Sequence, residues 1–417
     1  MRLLQIAHRL PWPPVDGGNK GVLGFVDAYA RHPAVARHAF ACLCRHEDLR
    51  YVDEWKPQGV TVHVEPVDGR NRLLPFLANT LFSREPYNMA KYRQPSLADR
   101  IARVIAEGAP DLVHFDGLHT AAYAEQVHRA APGALRVLRC HNAEYMILER
   151  LALAETNPVK RALIALQARR LKDYEGRMLR HFDLVLPITD TDAQRFIELD
   201  PRCADRLLVV PAGADIPVAL PPEPPAGPGP VRLIHIAAMD WLPNQGGLRW
   251  LRDKVLPLLD RSGLDYHLDV IGKAMPEEFM AMNGPRVTVH GFVQDLAPFT
   301  RAAHVAVVPL QVGSGMRVKI LDFWSMGIPV VGTAIAAEGL TDWTRPVVAL
   351  ADEPEDFAAA IRRLAADPDE RRQLRASAFD KVSAKYGWNG LVDGLIRHCR
   401  QLVVARATTS GTGRDGR

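Results

Sequence analysis

The stretch AHVAVVPLQVGSGMRVKILDFWSMGIPVVGT, residues 303–333, contains the pattern that decides the fold. An apolar, β-branched run at 303–310 is followed by a glycine-rich turn and then by a segment, 316–327, with apolar residues at helical spacing. Glycine and proline end that segment, and a second apolar run follows at 329–333. The order strand, helix, strand predicts a βαβ unit, which belongs to a parallel sheet.

Similar apolar runs alternate with helical patterns along most of the chain. They lie at residues 2–8, 40–44, 60–66, 111–116, 135–140, 183–188 and 207–212, and again at 231–238, 266–272, 286–291, 303–310, 329–333 and 347–350. Between the two sets, residues 216–230 contain seven prolines and two glycines, which favour neither a helix interior nor a central strand. We therefore predict two doubly wound, Rossmann-like α/β domains joined by a linker.

The domain boundaries follow from the same pattern. The first domain is predicted at 1–215, the proline-rich linker at 216–230 and the second domain at 231–385. Residues 386–405 are predicted to form a last helix, and the tail 406–417, rich in glycine, serine and threonine, is predicted to be disordered.

Composition narrows the class of protein. The chain has 417 residues and a net charge of only +4, which argues against a protein that coats nucleic acid. The five cysteines are scattered, with no zinc-like spacing, so we expect reduced, packed thiols and no metal site. No run of 18 apolar residues and no signal peptide is visible, so we expect a cytoplasmic protein.

Two basic residues, Arg317 and Lys319, stand where the predicted helix of residues 316–327 begins. A helix N-terminus already carries partial positive charge, so each cation there costs roughly 0.3–1 kcal/mol. A diphosphate over Gly313, Ser314 and Gly315 would reverse that sign, because it would receive backbone N–H groups and both cations. The alternative is that both side chains are solvated surface residues beside an ordinary turn.

The segment 313–340, GSGMRVKILDFWSMGIPVVGTAIAAEGL, resembles the nucleotide-sugar-binding segment of the GT-B glycosyltransferases, specifically the retaining family 4. Further matching segments are VPAGAD (210–215), LDVIGKAMP (268–276), VTVHGFVQDL (287–296) and KYGW (385–388). The stretches at 10–18, 141–145 and 237–251 are similar to members associated with bacterial exopolysaccharide and exosortase-linked gene clusters.

The resemblance implies a GT-B fold, with two domains facing across a cleft and the C-terminal helix packing back on the first domain. It also implies that Arg317 and Lys319 neutralise a diphosphate leaving group, so that no metal or other cofactor is expected. The family's pair of glutamates falls on Ser314 and Asp322, so the first acid is lost. Asp322 is expected to accept the ribose hydroxyls, and Glu338 could partly replace the missing acid; alternatively, Asp322 is a helix-face charge.

For the acceptor side, the resemblance points first to the loop after the first strand. Gly17, Gly18 and Asn19 match the family's glycine-rich acceptor and phosphate loop, although two glycines in a turn are common. The family's catalytic histidine falls on Asp116, and His119 is a plausible neighbour at the start of the next helix. His119, like His114 on the strand, could instead be structural.

A third group follows the strand at 135–140. His141, Asn142 and Glu144 could line the cleft between the domains, although Asn142 could also cap a helix. Two other features are explained by local structure as well as by function. Asp190 and Asp192 look like a metal-binding pair but also fit the start of a helix. The basic segment 159–182 could contact the inner membrane surface, or could be a long solvated helix.

The resemblance to family 4, together with the basic pair, implies a retaining, metal-independent hexosyltransferase. It would move a sugar from a nucleotide-diphosphate-sugar to a saccharide or lipid-linked saccharide, with no nucleic-acid partner. The alternatives are a nucleotide-sugar epimerase of the same fold and a non-catalytic subunit that binds nucleotide sugars. A dinucleotide dehydrogenase is disfavoured, because no Gly-x-Gly-x-x-Gly follows a first strand in either domain.

Overall fold

The computed structural model describes residues 1–14, 16–70, 72–224, 229–313, 316–340 and 348–411. The chain forms two compact units. The first contains the described residues up to Pro211, except Asp16 and Gly17, together with the chain from Trp388. The second contains the described part of Ala212–Gly387, with Asp16 and Gly17.

The first unit is built on a six-stranded parallel sheet with the order β3-β2-β1-β4-β5-β6. Its strands are β1 (Arg2–Ala7), β2 (Arg37–Arg45), β3 (Val60–Val67), β4 (Leu112–Asp116), β5 (Leu135–Arg139) and β6 (Leu184–Leu186). The predicted strand at 207–212 is wrong: Leu207 makes only an isolated bridge to Val185. The chain reverses direction across the sheet between β1 and β4, which is where ligands bind in such folds.

Helices cover both faces of this sheet. They are α1 (Gly17–Arg31), α2 (Leu73–Phe82), α3 (Tyr87–Ala90), α4 (Pro95–Gly108), α5 (Ala124–Ala130), α6 (Glu144–Ala154), α7 (Pro158–Met178) and α8 (Asp190–Leu199). Short 3-10 helices lie at His46–Tyr51, Leu118–Tyr123, Leu179–His181 and Pro201–Arg206.

The second unit repeats this topology. Its parallel sheet has the order β12-β11-β10-β7-β8-β9, with the same switch point between its first and fourth strands. The strands are β7 (Val231–Ile236), β8 (Tyr266–Ile271), β9 (Val287–Gly291), β10 (Val305–Val308), β11 (Val330–Gly332) and β12 (Val348–Leu350). Two doubly wound α/β units therefore confirm the predicted fold class.

The helices of the second unit begin with a long element in three parts. These are α9 (Leu242–Trp250), a π-helical turn (Leu251–Val255) and α10 (Leu256–Arg261). The others are α11 (Glu277–Met280), α12 (Ala297–Ala302), α13 (Val318–Ser325), α14 (Pro354–Ala366) and α15 (Pro368–Lys385). The predicted helix at 316–327 is thus α13, shortened at both ends.

The last helix, α16 (Trp388–Gly411), belongs to the first unit and packs on it as predicted. Trp388 lies edge-on to Phe25 of α1 with ring centroids 5.6 Å apart. A Cβ atom on Gly24 would lie 2.1 Å from the Trp388 ring, so only glycine allows this close approach. The buried face continues through Val392, Leu395, Ile396 and Cys399.

Three further features bear on predictions made from the sequence. The helix α16 continues through residue 411, so the prediction of disorder is wrong for 406–411, and residues 412–417 lie outside the described part. All five cysteines are buried and form no disulfide. Among the described residues, no helix is both long and apolar enough to cross a membrane.

The packing of Trp388 can be tested by truncation. We expect Trp388→Ala to lower the free energy of unfolding of the first unit by about 3–5 kcal/mol, because it leaves a large cavity beside α1. The control is Val404→Ala, at an exposed position of the same helix, which should change it by less than about 0.5 kcal/mol. Urea unfolding followed by circular dichroism gives both values. Equal small losses would show that α16 does not stabilise the unit.

Candidate functional site

The switch point of the second sheet is formed by the loops that follow β7 and β10. Two side chains from α9 fix the first of these loops: Asn244 Nδ2 donates to the Ala238 carbonyl at 2.7 Å, and Gln245 Nε2 donates to the Met239 carbonyl at 2.7 Å. These bonds hold the backbone that leads to Trp241. The loop is therefore rigidly placed at the carboxyl edge of the sheet.

Arg317 lies at the N-cap position of α13, with extended backbone, and is only 7% exposed. Its guanidinium carbon lies 5.5 Å from the centre of the Trp241 ring, a cation–π distance. A Cβ atom on Gly313 would lie 2.1 Å from Nη2 of Arg317. Any other residue at position 313 would therefore displace the guanidinium.

Lys319 follows in the first turn of α13, and its Nζ donates to Asn244 Oδ1 at 3.2 Å. Burial, together with the nearby charge of Arg317, lowers the pKa of Lys319 to about 7. An anion bound beside Lys319 would raise this pKa again, so that the lysine would be protonated at pH 7. Burial and the Lys319 charge also lower the pKa of His235 to about 3, and the His235 Nδ1 proton is donated to the Val307 carbonyl at 2.9 Å.

The remaining donor-side candidates are placed as follows. Asp322 is partly buried, one turn after Lys319 on α13, and the carbonyl of Asp322 accepts a hydrogen bond from the Ser325 hydroxyl. Glu338 is partly buried in the loop after β11. Ser314 and Gly315 lie outside the described residues.

In the first unit, Asp116 ends β4 and is completely buried. Its Oδ1 accepts from Arg139 Nη1 at 3.2 Å and from His141 Nε2 at 2.6 Å, while its Oδ2 accepts from Gln5 Nε2 at 2.9 Å. Burial alone would raise the pKa of Asp116, but the Arg139 charge and the His141 contact hold that pKa well below its usual range. Asp116 is thus a permanently ionised group that orients His141.

Three histidine rings surround Gly117, the residue after Asp116. A Cβ atom on Gly117 would lie 3.7–3.9 Å from ring nitrogens of His8, His119 and His141. His8 and His119 stack with centroids 4.3 Å apart, and Tyr92 meets both rings edge-on. Burial lowers the pKa of His119 to about 3, so that ring is neutral near pH 7.

The other acceptor-side candidates are more dispersed. Gly17, Gly18 and Asn19 form the first turn of α1, and buried Asn19 donates from Nδ2 to the Pro13 carbonyl at 3.0 Å. Asn142 is partly buried in the loop before α6, where Ala143 occupies the N-cap position, so Asn142 is not that cap. Burial and the Asp192 charge raise the pKa of Glu144 to about 7.

Asp190 and Asp192 both lie in the first turn of α8, and Asp192 has a local structural role. Thr189 caps α8: its hydroxyl accepts from the Asp192 backbone N–H at 3.0 Å and donates to Asp192 Oδ2 at 2.7 Å. Arg195 donates to the other oxygen of Asp192 at 3.0 Å. Within the part of the chain that the structure describes, no group of three or more His, Cys, Asp or Glu side chains is arranged to hold a metal ion.

Sequence reasoning missed several residues that shape these two sites. Gln5 stands inside an apolar strand, and Arg139 is the last residue of another, so both broke the apolar pattern and could have been noticed. Trp241 and Asn244 lie just after β7, where a switch-point loop was to be expected. His8 lies just after β1, at the carboxyl end of a strand, where site residues are also to be expected.

The lowered pKa of Lys319 implies a cost in stability without ligand. Because the pKa of folded Lys319 is about 7, below the unfolded value of about 10.4, this residue lowers the free energy of unfolding most at and below pH 7. The cost shrinks as the pH rises towards 10, since the folded lysine is then already neutral. We expect Lys319→Met to raise the free energy of unfolding at pH 7 by at least about 1 kcal/mol, with a smaller gain at pH 10.

The control for this prediction is Lys254→Met, at an exposed position of the same unit. It should leave the pH dependence unchanged. Urea unfolding at the two pH values measures both variants. A Lys319→Met protein that is less stable than the unsubstituted protein at pH 7 would contradict the assigned environment of Lys319.

Comparison with known proteins agrees with this architecture. The family model described as glycosyl transferases group 1 matches residues 230–367, and that of the glycosyl transferase 4-like domain matches residues 16–213. A segment of 116 residues is 32% identical to a D-inositol 3-phosphate glycosyltransferase of Nocardiopsis dassonvillei, covering 27% of this chain. The match spans about a quarter of that relative's length, 26%.

Solved structures show the same fold. Sucrose-phosphate synthase from Thermosynechococcus elongatus is 18% identical with a TM-score of 0.69, over 97% of this chain and 100% of that one. Anabaena HepE, solved in complex with UDP and glucose, is 13% identical with a TM-score of 0.64, over 96% and 100%. Together the two family models cover most of the sequence, and the chain belongs to the group 1 glycosyltransferase family with the GT-B fold.

Proposed function

We propose that this protein is a retaining glycosyltransferase that moves a hexose-type sugar from a nucleoside diphosphate sugar to a saccharide or lipid-linked saccharide acceptor. One observation carries the proposal: the buried Arg317 and the partly buried Lys319 lie together at the start of α13, at the switch point of the second sheet. A site of this kind fits a diphosphate, since the helix end and both side chains favour negative charge.

The chemistry follows from where charge develops. As the bond between the sugar and the diphosphate breaks, negative charge grows on the departing phosphate oxygens. The Arg317 guanidinium packs on the Trp241 ring and fills the space that Gly313 leaves open. It can therefore stabilise that charge without reorganising. Lys319, with a pKa of about 7, takes up a proton as the diphosphate binds and so strengthens as a donor.

This arrangement supports a reaction that uses neither metal nor other cofactor, since two cations supply the charge that a divalent ion would otherwise bring. Asp322 and Glu338 are the candidates for contacts to the ribose and the donor sugar, and Gly313 to Gly315 for backbone contacts to the phosphates. Retention needs no protein nucleophile if the leaving phosphate accepts the proton of the incoming hydroxyl.

The first unit supplies the acceptor side in this proposal. Asp116 is bound by Gln5, Arg139 and His141, so it acts by orienting His141 rather than as an attacking group. The neutral His119 ring offers a hydrogen-bonding group for a hydroxyl of the acceptor. Gly17, Gly18 and Asn19 at the start of α1 are the candidates for binding a phosphate of the acceptor.

The biological setting is also proposed. The segments at 10–18, 141–145 and 237–251 resemble proteins of exopolysaccharide gene clusters, which supports a role in making a bacterial exopolysaccharide. Such a reaction would take place in the cytoplasm or on the inner face of the cytoplasmic membrane. HepE binds UDP-glucose in its solved structure, and a uridine nucleotide sugar is a reasonable first donor to test.

The donor assignment is tested with a thermal-shift panel of nucleoside diphosphates. One diphosphate should raise the melting temperature of the unsubstituted protein, since a ligand that binds only the folded state stabilises it. The double variant Arg317→Ala/Lys319→Ala should lose most of that response. The matched control, Lys254→Ala/Arg261→Ala, removes two exposed cations of the same unit and should keep it.

Turnover separates the proposed transfer from the two alternatives. Release of nucleoside diphosphate that requires an added saccharide, with the anomeric configuration retained by NMR, would agree with the transferase. Conversion of the donor sugar without acceptor would indicate an epimerase instead. A protein that binds the diphosphate but turns over no donor with any acceptor would contradict an enzymatic role.

A further inference from the structure

The helix α2 exposes an apolar face. Its ten residues, LLPFLANTLF, include no charged side chain, and five large apolar residues are exposed: Leu73, Leu74, Leu77, Leu81 and Phe82. Leu74 is 79% exposed and Phe82 is 88% exposed. Contiguous apolar surface of this kind marks a contact site, because isolated exposed leucines are common but a whole helix face is not.

The other face of α2 is firmly attached to the first unit. Thr80 Oγ1 accepts from Gln167 Nε2 of α7 at 3.1 Å, and Arg170 donates to the Thr80 carbonyl at 2.9 Å. Phe76 meets the Tyr87 ring edge-on with centroids 5.5 Å apart. These contacts fix the orientation of the helix, so the leucines are held away from the body of the unit.

Basic residues flank this face at both ends. Arg70 and Arg72 precede α2, Arg84 follows it, and all three are exposed. Arg72 forms an ion pair with Asp68. An apolar helix between arginines has the charge pattern of a segment that lies in the headgroup layer of an anionic membrane, where long basic side chains reach the lipid phosphates.

The neighbouring helices α6 and α7 also expose apolar and basic residues. Exposed apolar residues occur along α6 and in the first half of α7, namely Ile147, Leu151, Leu153, Val159 and Leu166. Lys160, Arg161 and Arg169 of α7 are exposed among them. Gln167 and Arg170 link α7 to α2, and the Glu175 carboxylate links α7 to α6 by accepting from the Glu144 backbone N–H at 3.2 Å. Apolar and basic residues therefore recur across one connected part of the unit.

We propose that α2, with the α6–α7 turn, docks the protein on an anionic lipid bilayer. The five exposed residues of α2 are the lipid-docking face. A helix of ten residues is about 15 Å long, too short to span a bilayer but long enough to lie in its surface. A protein partner would be expected to form some hydrogen bonds with the surface that it covers. The five side chains of the lipid-docking face have no polar atoms that could form them.

This surface differs from the one expected from sequence, the basic helix at 159–182. The second half of α7 is packed into the unit through Leu171, Tyr174 and Glu175. The first half, residues 158–166 next to α6, has no buried residue, so it is the part of α7 that adds to the proposed surface. The proposal is independent of the transfer reaction, although a membrane-bound position would bring the protein to a lipid-linked acceptor.

The test measures binding of the full-length protein to vesicles by co-sedimentation. Vesicles of phosphatidylglycerol and phosphatidylcholine in equal amounts should bind it, and vesicles of phosphatidylcholine alone should bind it about tenfold less. Leu74→Ser/Leu77→Ser/Leu81→Ser should reduce binding to the anionic vesicles about tenfold. Arg70→Gln/Arg84→Gln should remove most of the preference for anionic lipid.

The matched control is Val218→Ser/Met280→Ser/Val404→Ser, which changes three exposed apolar residues elsewhere and should bind like the unsubstituted protein. In case the α2 variant folds poorly, hydrogen exchange of the unsubstituted protein gives a second measure, and vesicles should slow exchange at residues 73–82. Equal binding by the α2 and control variants, no exchange protection, or an α2-dependent self-association without vesicle binding would overturn the proposal.

Discussion

The organisation of the second unit depends on keeping two cations close together at the positive end of a helix. Burial and the charge of Arg317 already lower the pKa of Lys319 to about 7, so the pair is unfavourable in the absence of an anion. The surrounding backbone accommodates it closely. Gly313 leaves room for the guanidinium, and a Cβ atom on Gly247 would lie 2.6 Å from the Pro309 carbonyl oxygen. Such local cost is typical of a binding site.

The two units place residues of opposite charge at the switch points of sheets that have the same topology. Both sheets have the same strand order, and in both the polar residues gather where the first and fourth strands end. In the first unit a buried carboxylate, Asp116, is surrounded by donors and orients His141. In the second unit the cations Arg317 and Lys319 gather beside Asn244 and Trp241. The switch point of this sheet topology can therefore be lined by either negatively or positively charged side chains.

Much of the fold could be predicted from the sequence because buried parallel strands are apolar and easily recognised. Twelve of the thirteen predicted strands are present; the run at 207–212 is apolar, but it extends the sheet edge only through the bridge at Leu207. The basic pair was found from helix electrostatics alone. The network around Asp116 was not, since it joins Gln5, Arg139 and His141 from distant parts of the chain. The exposed face of α2 also escaped prediction, because an apolar helix looks the same in sequence whether its face is covered or open.

The proposed site places a diphosphate at the start of α13, held by Arg317 and Lys319. The most direct measurement is an experimental structure of the complex with the nucleoside diphosphate that stabilises the protein. In that complex, phosphate oxygens should lie within about 3 Å of the Arg317 guanidinium and of Lys319 Nζ, as in charge-assisted hydrogen bonds. Phosphates bound elsewhere, with both side chains turned away from them, would contradict it.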